Sequence, residues 1–194
     1  MSNEGVDSGK RRFLTLATAA VGAVGAGFVA VPFLGSWKPS AKAQAAGAPV
    51  EVMLNKLEEG QMVKVEYRGK PVFVVKRSQV IIDQLKNSKQ ALKDPKSDKF
   101  PEQQPDYVDM DTRSVRPEIM VLVAICTHLG CVPQHKKETE VDWGGGFFCP
   151  CHGSKFDLAG RVFEGVPASK NLEVPPYSFL SDDKMIIGVG QGAA

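Results

Sequence analysis

Two short segments, Cys126-Thr-His-Leu-Gly-Cys131 and Cys149-Pro-Cys-His-Gly-Ser154, contain all four cysteines and two of the three histidines of this 194-residue chain. Sulfur and imidazole crowded into 27 residues point to a site rather than to a core or a disulfide scaffold. Cys126 and His128 form C-x-H, Cys149 and His152 form C-x-x-H, and 22 residues lie between the two cysteines. Each pair can place two ligands on one metal, or one ligand on each of two. Gly130 and Gly153 suit loops whose backbone turns sharply and approaches a ligand closely. The N–H groups of such loops can point at sulfur. Three readings compete. A structural zinc would use four of the six groups, although this is not a usual finger spacing and two cysteines would be left over. A framework of disulfides alone leaves both histidines unexplained. A 2Fe–2S cluster with Cys126 and Cys149 on one iron, and His128 and His152 on the other, uses the mixed ligand set that such clusters accept.

Composition narrows the remaining possibilities. Apolar residues make up 43% and charged residues 24%, values near globular averages that argue against wholesale disorder. A formal net charge of +2, without a basic stripe interleaved with aromatics, excludes nucleic acid as an expected partner.

Residues 13–37 contain no charge, and Lys10, Arg11 and Arg12 stand immediately before them. As a helix, Phe13 to Val31 spans roughly 28 Å, about one bilayer core. The basic cluster keeps the N-terminal side cytoplasmic. A basic pair, a spacer and Phe13-Leu14 also resemble a twin-arginine export signal. Small-x-small patterns at Ala41-Lys42-Ala43 and Ala43-Gln44-Ala45 would suit a signal peptidase. The apolar run is longer than a signal core, and Gly22/Ala26 and Ala23/Gly27 form small-residue faces, so a retained anchor is expected. The expected organisation is a cytoplasmic tail over 1–12, a transmembrane anchor over 13–35, a flexible hinge over 36–48 and a domain over 49–194. The site loops lie at about 124–168.

Beyond Pro49 the pattern is β. Strands are expected at Val50–Leu54, Met62–Tyr67, Val72–Val75 and Ile119–Ile125, with a hairpin formed by Ser178–Leu180 and Met185–Val189. Ser78 to Leu92 reads as a helix capped by Ser78. Lys93 to Pro117, rich in Asp, Lys and Pro, reads as a long surface excursion, and His135 as a solvated loop residue. The class is mainly β: an N-terminal transmembrane helix followed by an antiparallel β domain with the site inserted as loops.

The two cysteine–histidine segments, together with Asn171-Leu-Glu-Val-Pro-Pro-Tyr177 and the N-terminal anchor, resemble the Rieske iron–sulfur subunit of proteobacterial ubiquinol–cytochrome c reductases. The resemblance covers most of the chain. It implies one 2Fe–2S cluster, with Cys126, His128, Cys149 and His152 as ligands and a Cys131–Cys151 disulfide. It further implies a catalytic, quinol-facing role for His152 and surrounding roles for Leu129, Gly130, Gly153, Ser154 and Phe156. The partners it implies are ubiquinol, a cytochrome b subunit and a c-type cytochrome subunit. These would form a dimeric, proton-translocating complex of the bacterial inner membrane, with the cluster domain periplasmic. The rival functions are the small Rieske subunit of a periplasmic oxidase such as arsenite oxidase, and a structural zinc module.

Two positions depart from the family pattern. Where relatives usually carry a Tyr whose hydroxyl bonds a ligand sulfur, this chain has Phe156. The proline-rich loop, usually Gly-Pro-Ala-Pro, reads Val166-Pro167-Ala168-Ser169. In the family the Ser154 hydroxyl donates to a bridging sulfide.

Overall fold

A computed structural model describes residues 5–87 and 89–192. The chain divides into two units, residues 1–45 and 46–194.

The first unit is dominated by helix α1, Ser8–Gly35. It begins earlier than the apolar run, because the Asp7 carboxylate accepts the Gly9 and Lys10 N–H groups and caps a turn carrying Lys10, Arg11 and Arg12. At 28 residues it is roughly 42 Å long, enough to cross a bilayer. Phe13, Leu14, Val21, Val24, Phe28 and Val29 all lie exposed along it. Beyond Arg12 the helix is uncharged, with exposed apolar side chains along its length, which suits it to lipid. Ala41–Ala46 forms a short exposed helix, α2, begun by the Ser40 hydroxyl accepting the Ala43 N–H at 3.2 Å. Alanine-rich sequence favours helix even where nothing packs against it.

In the second unit three antiparallel three-stranded sheets are built from strands β1 (Val50–Met53), β2 (Met62–Tyr67), β3 (Lys70–Lys76), β4 (Ile119–Val123), β5 (Gln134–Lys136), β6 (Gly146–Phe148), β7 (Lys155–Phe156), β8 (Tyr177–Ser181) and β9 (Lys184–Ile187). Their orders are β1-β9-β8, β2-β3-β4 and β5-β6-β7. The β2–β3 hairpin turns on Arg68 and Gly69, both at positive φ, whose twist matches that of the flanking strands. β3 and β4 are nearly continuous apolar runs and supply the centre of the core. Phe73 of β3 stacks on Phe147 of β6, ring centroids 5.8 Å apart, and so joins the third sheet to the second.

Helix α3 covers Gln79–Lys86, capped by Ser78, and is shorter than the apolar pattern suggested. Leu92 leaves it to form a β-bridge with Phe163, since pairing there satisfies backbone that one more helical turn would not bury.

Residues 93–117 are not a surface excursion. Asp94, Ser97, Val108, Thr112, Arg113 and Ser114 are buried. Polarity misleads here because the polar groups bond inward. The Arg77 guanidinium, 1% exposed, donates to the carbonyls of Pro117 (2.8 Å), Thr112 (2.9 Å) and Leu158 (3.2 Å) and to the Ser114 hydroxyl. Arg113 donates to Gln104, Ala159 and Gln103. Burial lowers both guanidinium pKa values to about 10, so both remain charged at neutral pH. The segment is therefore fastened between the core sheets and the loop at 157–161.

Arg77→Met strands the buried carbonyls of Thr112 and Leu158, at a cost of about 1–3 kcal/mol for each group left unsatisfied. Thermal unfolding of the full chain in detergent, followed by circular dichroism, is expected to show a lower midpoint; an unchanged midpoint would refute the fastening role.

Candidate metal centre

The third sheet exists to carry two loops. One runs from the end of β4 to β5, and the other joins β6 to β7. The loops are closed by the same pair of backbone hydrogen bonds. In the first, the Gly130 N–H donates to the Cys126 carbonyl (2.9 Å) and the Cys126 N–H to the Cys131 carbonyl (2.8 Å). In the second, the Gly153 N–H donates to the Cys149 carbonyl (2.9 Å) and the Cys149 N–H to the Ser154 carbonyl (2.8 Å). Both closures turn at glycine with φ of +85° and +77°, a region that a Cβ disfavours.

This closure sorts the side chains by depth. Cys126 and Cys149, at the loop bases, are buried and are not in a disulfide. His128 and His152, nearer the tips, are half-buried and exposed respectively. Their rings meet edge to face, centroids 4.7 Å apart at 87°. Cys131 and Cys151 form a disulfide that joins the loops. The Cys149 sulfur lies within 4.8 Å of both, but two sulfurs bonded to each other are not available to a metal. The remaining donors are two buried sulfurs and two imidazoles at the rim. That set fits a 2Fe–2S cluster with unlike ligands on its two irons.

The surroundings suit anionic sulfur. Burial pushes the Cys126 thiol up, and the Cys149 sulfur adds to the rise. The His128 backbone N–H and the Ser154 hydroxyl hydrogen-bond to Cys126 and oppose it. Those two donors are what a thiolate meets once a cation removes its proton. Ser154 is fully buried, and its oxygen also accepts the Ala168 N–H at 3.0 Å, which ties it to the loop at 166–169. The Thr127 hydroxyl donates to the Lys170 carbonyl at 2.5 Å and fixes the first loop to the far end of the same segment.

The other residues singled out in the sequence are spread around this centre. Leu129 stands 71% exposed at the first loop's tip. Phe156 is fully buried in β7, paired with Phe147. His135 is not a solvated loop residue: it lies in β5, and its ring is 5.5 Å from that of Phe147. Thr127 and Lys93 escaped sequence reasoning, because each acts on a carbonyl more than 40 residues away and no local spacing marks such a bond.

Known proteins are similar to this chain along most of its length. Residues 1–40 match the "Ubiquitinol-cytochrome C reductase Fe-S subunit TAT signal" family and residues 49–177 the "Rieske [2Fe-2S] domain" family. The ubiquinol–cytochrome c reductase iron–sulfur subunit of Allochromatium vinosum is 51% identical over 199 residues, covering 100% of this chain and 95% of the relative. That of Blastochloris viridis is 43% identical over 190 residues, covering 97% and 98%. A solved "Hyperthermophilic respiratory Complex III" chain is similar at a TM-score of 0.47 and 26% identity, covering 88% of this chain and 98% of that one.

Phe156 leaves β7 without a hydroxyl beside the second loop. Hydrogen bonds to charged groups contribute roughly 1.5–3 kcal/mol, and about 59 mV corresponds to a tenfold change for one electron. Only the difference between the two redox states counts, so Phe156→Tyr is expected to raise the reduction potential by several tens of millivolts in protein-film voltammetry. No rise would refute a tuning role for this position. On sequence, domain match and donor chemistry together, the chain belongs to the Rieske [2Fe–2S] family, among the iron–sulfur subunits of ubiquinol–cytochrome c reductase.

Proposed function

We propose that this chain oxidises ubiquinol and passes the electron to a c-type cytochrome within a proton-translocating membrane complex. The observation that carries the reading is the pairing of two buried thiols with an exposed imidazole across two disulfide-joined loops. Cys126 and Cys149 would hold one iron from the buried side, and His128 and His152 the other from the rim. When bound, the cluster supplies a site that takes up and releases one electron.

The chain's own residues do the rest. His152, exposed at its loop tip, offers a ring nitrogen to accept a hydrogen bond from the quinol hydroxyl and then to hold its proton. Leu129, exposed on the neighbouring loop, gives the quinol an apolar surface that excludes water. Gly130 and Gly153 let both tips turn tightly enough to present these side chains together. The Cys126 and Cys149 sulfurs stay shielded from solvent, which protects them from competing thiol chemistry.

Placement in the cell follows the same logic. Helix α1 fits a membrane anchor, with Lys10, Arg11 and Arg12 holding its start on the cytoplasmic side of the inner membrane. The Cys131–Cys151 disulfide suits a periplasmic domain, where such bonds persist. Residues 36–48, exposed for most of their length, would serve as the tether on which the domain moves between a cytochrome b partner and a c-type cytochrome in a dimeric complex.

Purification from detergent-solubilised membranes tests the reading. The expected product carries b- and c-type haems, shows an electron paramagnetic resonance signal on reduction and transfers electrons from quinol to cytochrome c. Release by a detergent-free wash, without haem, would overturn it.

A further inference from the structure

The loop at Val166–Ser169 bears directly on the metal centre, because the Ala168 N–H donates to the hydroxyl oxygen of Ser154, which is fully buried at the base of the second loop, where its carbonyl accepts the Cys149 N–H. The segment has a single proline, Pro167. Something other than ring stiffness has to hold it. The Lys93 side chain reaches across 73 residues of sequence: its Nζ donates to the Val166 carbonyl at 2.6 Å and to the Ala168 carbonyl at 2.7 Å.

Backbone pairing puts Lys93 there. The Lys93 N–H donates to the Val162 carbonyl, the Glu164 N–H to the Ala91 carbonyl, and Leu92 bridges Phe163. Residues 91–93 therefore run antiparallel to 162–164, the strand-like stretch that leads into the loop. On the far side Asn171 donates to the Asp94 carbonyl at 2.8 Å and accepts the Val162 N–H at 2.9 Å, closing the frame. Lys93 is half-buried, and among the described residues no carboxylate lies within ion-pair distance of it. Its ammonium is directed at the two loop carbonyls, and charge-assisted bonds of this kind are about twice as strong as neutral ones.

We propose that Lys93 is a positioning residue of the metal centre: it clamps the Val166–Ser169 loop and, through Ala168, holds the Ser154 hydroxyl turned towards the sulfur of the site. The inference rests on the cluster reading above. A hydroxyl has one proton and two lone pairs. With the Ala168 N–H fixed on one lone pair, the proton is directed away from the loop and towards sulfur. Without the clamp, two carbonyls lose their donor, the loop drifts, and the hydroxyl can rotate. A donor to sulfur favours the more electron-rich reduced state, so its loss lowers the reduction potential.

A through-space effect of the Lys93 charge would also lower the potential on neutralisation, and a double-mutant cycle separates the two. The potential is measured by voltammetry on the detergent-purified complex carrying Lys93→Met, Ser154→Ala, both changes, or Lys93→Arg. The expected result is a shift of the reduction equilibrium by about three- to tenfold in Lys93→Met, where tenfold is about 59 mV for one electron. In the Ser154→Ala background the same change is expected to shift it less than about twofold, and Lys93→Arg to stay close to the parent. An unchanged potential in Lys93→Met, or an equal shift in both backgrounds, overturns the proposal. If Lys93→Met does not assemble, Lys93→Gln, whose amide can reach one carbonyl, is read by the same two criteria. A parent complex lacking the paramagnetic signal would refute the cluster reading itself; a normal signal with no shift refutes only the clamp.

Discussion

Two loops with no regular structure between them have to be held face to face, sulfurs inward and imidazoles outward. Each is first closed on itself by two backbone hydrogen bonds, from the N–H of its first cysteine and the N–H of its glycine. The Cys131–Cys151 bond then joins the loops across a sequence separation of 20. Closing a loop of that size contributes about 3 kcal/mol by chain entropy. Covalent joining matters more here than that figure suggests. An iron–sulfur site needs its four donors in place together, and two separately mobile loops would each have to be ordered when metal binds.

The same site depends on groups that never touch a ligand. Arg77, Arg113 and Arg161 are buried around the segment at 157–161, and their guanidinium groups bond main-chain carbonyls from several elements. Arg161 also pairs with Asp157 at 2.6 Å in full burial. A buried ion pair is weak evidence for stability, because desolvation offsets the attraction. Its geometric effect is clearer. Arg161 reaches the Leu85 carbonyl at the end of α3, and Arg77 reaches Leu158 from the end of β3, so the loop region is fixed to the elements beneath it. Lys93 extends this scheme to the loop at 166–169.

The parts of the fold that were legible beforehand are those governed by local pattern. The apolar runs at 72–75 and 119–123 became buried strands, the first of them paired with Met62–Tyr67, and Ser78 capped α3. What misled was polarity over 93–117. Polar side chains usually face water, yet here they satisfy buried carbonyls, and the acceptors lie far away in sequence. Ala41–Ala46 became helical through intrinsic propensity, without an apolar stripe to announce it.

The sequence by itself marked the candidate donors: one C-x-H and one C-x-x-H segment, two leftover cysteines and two well-placed glycines, read from spacing and residue chemistry. It also determined the apolar N-terminal helix, because an uncharged run behind a basic cluster is a statement about solvent rather than about packing. Tertiary structure alone decided depth and support. Cys126 and Cys149 lie in the buried floor while His152 is exposed, because the loop closures set how far each side chain stands from β6 and β7. The Ser154–Ala168–Lys93 chain of contacts was invisible to spacing for a physical reason: a carbonyl carries no sequence identity, so nothing local marks which side chain will find it.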